Sequence, residues 1–101
     1  MYNNYMSNRK IKTAKQMERH LKGVANHRRI EILFIIAEHE KITLERIVKI
    51  LGANGKTIGE HTRRLYTAGL INKKYRGKFV EHILSPYGKT LVRFLKTFQL
   101  I

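Results

Sequence analysis

Gly55, Lys56 and Thr57 stand in the order that closes a nucleotide-binding phosphate loop. Such a loop needs a first glycine five positions before the Gly-Lys pair, so that successive backbone N–H groups curl around the phosphates. Ile50 occupies that position, and the nearest glycine, Gly52, comes two positions too late. The segment before it is also wrong, because Leu44, Ile47, Val48, Ile50 and Leu51 recur at helical spacing where a buried strand is required. Other chemistry is excluded by composition. With no Cys and no Asp there is no disulfide, thiolate metal site, thiol redox chemistry or Ser-His-Asp set. The five His, at positions 20, 27, 39, 61 and 82, give no i, i+4 ligand pair on one helix. Surface, capping or core roles are expected for them. No glutamate pair sits in a catalytic context, so neither an enzyme nor a cofactor or metal is expected.

Charge is the chemistry that remains. There are 21 Lys and Arg against 7 acids, all Glu, for a formal net charge of +14. Such self-repulsion costs stability unless a polyanion offsets it, which points to nucleic acid or an anionic membrane. No apolar run approaches the roughly 20 residues that span a bilayer, and the opening MYNNYMSNRK lacks a signal-peptide core. A cytoplasmic protein without membrane partners is expected. At 101 residues it forms one domain with a modest core.

The elements that must position these charges follow from periodicity and caps. Residues 1–8 are polar and aromatic without period, an expected flexible arm. The spacing of Ile11, Ala14, Met17 and Leu21 predicts a basic helix over 9–22 with a narrow apolar seam. Asn26 suits the cap of a second helix, apolar on nearly every side from Ile30 to Ala37, which reads as the central buried helix. A strand residue pair is expected before Thr43, which caps a third helix ending at Leu51. Gly52 can take the left-handed conformation that closes it.

Asn54 caps the next helix, at about 55–68, with Ile58, His61, Thr62 and Leu65 on one side. Lys56, Gly59, Glu60, Arg63 and Thr67 fall on the other. Two short helices joined by a glycine-containing turn, the second presenting basic residues outward, make a helix-turn-helix. GANGKT is thus the turn and the start of a recognition helix. Residues 71–84 then form two β-prone runs around Gly77, a hairpin wing with Lys73, Lys74, Arg76 and Lys78 expected at its tip. Ser85 and Pro86 open a last helix at 86–98, where Leu91, Val92, Phe94, Leu95 and Phe98 make a broad stripe.

Several strings resemble one family. VANHRRIEIL, TLERIVKILGANGKTIGEHTRRLYTAGLI and LSPYGKTL are similar to the central helix, helix-turn-helix and post-wing helix start of ArsR-type winged helix-turn-helix regulators, with MarR-like features at the end. The likeness spans about residues 22–98. It implies a mainly α fold with a small β-hairpin: a three-helix core plus wing, with additional N- and C-terminal helices. It implies that Asn54, Lys56, Thr57, Gly59 and Glu60 approach DNA, and His61 matches a frequent His there. Gly59 and Glu60 replace a small polar and a basic residue, and Thr62 replaces a usual core Leu. The Cys pairs and last-helix carboxylate and His ligands with which many such proteins sense metals are missing, since residues 86–101 hold no His or Glu.

The expectation is therefore a dimeric, repressor-like regulator of transcription that binds double-stranded DNA, with residues 9–101 as its DNA-binding domain. Asn54, Lys56, Thr57, Gly59, Glu60, Arg63, Arg64, Lys73, Lys74, Arg76 and Lys78 form the expected DNA surface. Ile11, Ala14, Met17, Leu21, Leu91, Leu95 and Phe98 form the expected homodimer surface, on helices 9–22 and 86–98. No motif indicates a small-molecule or protein effector. Two alternatives share the charge: an architectural protein coating DNA with little sequence preference, and a winged-helix RNA binder. Phosphate attraction is sequence-independent and does not separate the three.

Overall fold

The computed structural model describes residues 11–100, so the expected arm at 1–8 lies outside it. The first helix, α1, spans Ala14–Val24. It starts later than the expected residue 9 because Thr13 and Gln16 close a capping box: Thr13 Oγ1 accepts from the Gln16 N–H at 3.1 Å, and Gln16 Oε1 accepts from the Thr13 N–H at 2.8 Å. Ile11 therefore precedes the helix and drops out of its seam.

Asn26 Oδ1 accepts from the N–H groups of Arg28 and Arg29 and opens α2, His27–Glu38. Ile32, Leu33 and Ile36 of α2 are fully buried, and around them gather Ile47, Ile58, Leu65, Leu70 and Ile71. Each such side chain contributes roughly 1.5–3 kcal/mol by leaving water. The short strand β1, Ile42–Thr43, ends in the Thr43 cap of α3, Leu44–Leu51. Gly52, at φ 61°, stops α3 in the left-handed conformation that only glycine adopts without strain. Asn54 then caps α4, Gly55–Thr67. The helix-turn-helix and its turn lie where local sequence predicts them.

β2, Ile71–Arg76, and β3, Phe79–Leu84, form the hairpin, in register from Ile71 opposite Leu84 to Arg76 opposite Phe79. β1 pairs with the other edge of β3, giving the order β1-β3-β2. The last helix, α5, spans Pro86–Gln99. Ser85 ties its start to the end of α4, since its hydroxyl donates to Gly69 O at 2.6 Å and accepts from the Gly88 N–H.

Two close approaches set how the outer helices sit. A Cβ on Gly88 would run into the Leu70 carbonyl, so α5 lies directly on the backbone leading into β2. A Cβ on Gly23 would collide with the Ala68 side chain, so α1 lies against the C-terminal end of α4. Among the described residues no helix is long and apolar enough to cross a membrane.

Candidate nucleic-acid interface

α4 is the element that positions the site, and its sides differ sharply. Ile58, Thr62 and Leu65 are buried against the core, while Lys56, Thr57, Glu60, Arg63, Arg64 and Thr67 are exposed. Thr62, only 2% exposed, satisfies its hydroxyl within the helix by donating to Gly59 O at 2.9 Å. The outer face is the expected one in outline, and four details qualify it. Asn54 is a cap: its Oδ1 accepts from the N–H groups of Lys56 and Thr57, so that oxygen is already engaged. Gly59 is half-buried, with its missing Cβ directed toward Leu44 rather than outward. Arg63 is forked onto Glu60, with Nε and Nη2 donating at 2.7 and 2.8 Å. That bond, more than any other cause, holds the Glu60 carboxyl below its usual range.

The fourth detail is Arg64. At about 100° per residue it falls on the flank of α4 that His61 and Ala68 share, away from Gly59 and Tyr66. There Arg29 donates through Nε to Gly23 O at 2.6 Å, and its Nη1 lies 3.3 Å from His61 Nδ1. A guanidinium can only donate, so in that contact Nδ1 accepts. Burial, followed by Arg29, Arg28 and Arg64, keeps the His61 pKa below its ordinary value.

The wing lies on the other flank, and its cations are not all at the tip. Lys73 faces His82 across the ladder, half-buried, with its ammonium 5.4 Å from the centre of the Tyr66 ring. Burial and then Arg63 lower its pKa. Lys74 is exposed but lies opposite Glu81, also short of the tip. The alternation of a strand forces this split: Ile71, Lys73 and Tyr75 point to one face, Asn72, Lys74 and Arg76 to the other. Arg76 and Lys78 do flank the turn at Gly77, with Arg76 Nε 3.3 Å from Glu81 Oε2. Tyr75 and Phe79, which composition did not single out, stand exposed beside them.

The residues expected at a dimer surface differ in exposure. Met17 and Leu21 of α1 are exposed, and Ala14 with them. On α5, Phe94 and Phe98 are 56% and 72% exposed and stacked 5.7 Å apart, whereas Leu95 is half-buried against the core. An apolar groove runs between α1 and α5, lined by Met17, Leu21, Leu70, Tyr87, Leu91 and Phe94. Beneath it His20 is buried, its Nδ1 2.6 Å from Ala68 O and its ring 5.0 Å from that of Tyr87. His82 is buried too, its Nδ1 3.0 Å from Ile42 O. These two histidines belong to the core. No three His or Glu of the described residues gather as a metal site would need.

A buried three-helix core, an outward-facing second helix and a basic hairpin on its flank define a winged helix-turn-helix. Residues 26–73 match the family described as bacterial regulatory protein, ArsR family. Residues 26–73 are thus those of an ArsR-type helix-turn-helix, and the chain has the fold of a DNA-binding regulator of transcription. Among solved structures it is similar to HlyU from Vibrio cholerae N16961, at 23% identity and a TM-score of 0.78 over 88% of this chain and 97% of that one. It is similar also to the homodimeric winged helix-turn-helix DNA-binding domain Mb0332 from Mycobacterium bovis, a possible ArsR-family regulator, at 25% identity and a TM-score of 0.78 over 98% and 90%. The transcriptional repressor PagR of Bacillus anthracis shares the fold at 18% identity, with a TM-score of 0.74 over 91% and 99%. No curated protein sequence matches the chain.

Proposed function

We propose that residues 9–101 act as one DNA-binding unit of a cytoplasmic, homodimeric, repressor-like regulator, with α4 in the major groove and the wing on the flanking backbone or minor groove. The observation that carries this reading is the exposed face of α4, where Lys56, Thr57, Glu60 and Arg63 stand clear of the core beside the basic hairpin. Dimerisation through α1 and α5 is supported by the exposed Met17, Leu21, Phe94 and Phe98 and by the homodimeric state of the Mycobacterium bovis relative. Repression is supported by likeness to the Bacillus anthracis protein. A two-fold dimer would place its half-sites about 34–36 Å apart, one helical turn. Selection of bound fragments from random duplex DNA tests the reading. An imperfect palindrome with that spacing is expected.

Architectural binding with little sequence preference is favoured by one observation. Glu60 occupies the fork of Arg63, so the outer face presents few free donors to base edges. Recovery of unrelated fragments in the same selection would establish this second mode.

A further inference from the structure

We propose that the cations on the α1 side of α4 form a second phosphate-binding surface, opposite the wing, which holds the DNA strand that the wing does not reach. The inference rests on the DNA-binding reading above. The close approach of Gly23 to Ala68 brings the end of α1 against the end of α4, and an open cleft there is lined by Arg19, Lys22, Arg29, Arg63 and Arg64. No acid lines that cleft. Glu18 pairs with Lys22 and Glu60 with Arg63, but among the described residues none pairs with Arg19, Arg29 or Arg64.

Like charges gathered at a helix junction are unfavourable without an anion to hold them together. Burial, and after it Arg64, lowers the Arg29 pKa from its ordinary value. Arg29 is nonetheless anchored, through Nε to Gly23 O. An anchored guanidinium loses little freedom on binding a phosphate oxygen and suits that ligand's geometry.

The position supplies the partner. A helix in the major groove lies between two phosphate backbones, about 12 Å apart. The wing borders the flank of α4 that holds Gly59 and Tyr66, and the cation cluster borders the flank that holds His61, Arg64 and Ala68. The two basic surfaces therefore straddle the helix, one for each backbone. On α1 itself, Arg19 falls on the flank opposite Met17 and Leu21, so the phosphate surface and the proposed dimer surface do not compete.

The double variant Arg19→Ala/Lys22→Ala, both exposed and outside α4, tests this in the 101-residue chain. Affinity for a duplex is measured against salt, with Arg76→Ala in parallel and light scattering to check oligomeric state. Each lost phosphate contact lowers the slope by about 0.9, so a fall of about 1–2 is expected, equal on preferred and scrambled duplexes. Phosphate-ethylation interference should lose signals on one strand in this variant and on the other strand in Arg76→Ala. An unchanged slope and unchanged interference in the double variant, with Arg76→Ala still weakened, overturns the second surface and leaves DNA binding standing. Failure of the wild type to bind duplex DNA at all overturns both.

Discussion

At the scale of single residues, the division of labour is between side chains that read bases and side chains that hold phosphates. Lys56 projects from the first turn of α4 with no ion pair among the described residues, and a lysine there can donate to guanine edges. Lys56→Ala should cost about 1–3 kcal/mol more on the preferred duplex than on a scrambled one. Arg76→Ala, at the wing tip, should weaken both by similar factors. Paired titrations at fixed salt distinguish them, and equal losses for Lys56→Ala would place base reading elsewhere. His82 raises a question of pH. It is buried with Lys73 on β2 and Glu45 on α3 nearby, and burial outweighs the Ile42 hydrogen bond, so its pKa lies below the ordinary 6.5. The unfolded chain then takes up the proton first, and stability, fully present above about pH 6.5, falls as the pH falls. His61 acts with the same sign. Urea midpoints measured from pH 8 to pH 5 should decline, and His82→Asn should flatten the decline.

At the scale of elements, helix ends are set locally and helix placement is set by contacts without side chains. α5 can rest on Leu70 only because residue 88 has no Cβ. Gly88→Ala forces the helix off a backbone carbonyl that cannot move aside, and the gain in helix propensity does not make up for it. A net loss of about 1–2 kcal/mol is expected. For a domain of this size each kcal/mol lowers Tm by about 4–8 °C, so calorimetry reads the effect directly. An unchanged Tm would mean that α5 sits farther from β2 than described. The wing illustrates the converse. Its register follows from one tight turn at Gly77, yet strand alternation sends Lys73 toward Tyr66 and Lys74 away from it.

At the scale of the whole molecule, the main cation clusters and the broadest apolar surface lie on different faces, although aromatic side chains also stand among the wing cations. The recognition face, wing and α1–α4 junction carry the cations, while the α1–α5 groove with Phe94 and Phe98 is the apolar face. Such a patch on a protein this small is the surface that a second copy can cover. Phe94→Glu should therefore convert a dimer into a monomer in light scattering at ~20 μM, where a dimer of micromolar Kd is largely intact. Specific binding to a two-half-site duplex should fall with it. A wild type already monomeric at that concentration would count against dimeric recognition.

The sequence by itself determined whatever rests on bonds between near neighbours. Asn26, Thr43, Asn54 and Ser85 each cap the helix expected of them, because each accepts from an N–H two or three residues ahead. The positive φ at Gly52 and Gly77 is of the same local kind. The buried side of α4 was equally legible, since a 3.6-residue period writes it into the chain, and α2 was legible as the central helix because it is apolar on nearly every side. Where α1 begins was also locally encoded, in Thr13 and Gln16, but the apolar spacing of Ile11 obscured it. Only the tertiary structure decided what each exposed cation faces. Arg63 is held locally, forked on Glu60 within its own helix, but Arg64 lies beside Arg29 at the junction with α1 only because the helices pack there. Arg19, Lys22 and Arg29 had no signal marking them as part of a site, because their meeting with α4 depends on Gly23 approaching Ala68 across 45 residues of chain. Charge is additive along a sequence, but a binding surface depends on distances in space, and those are set by how the helices pack.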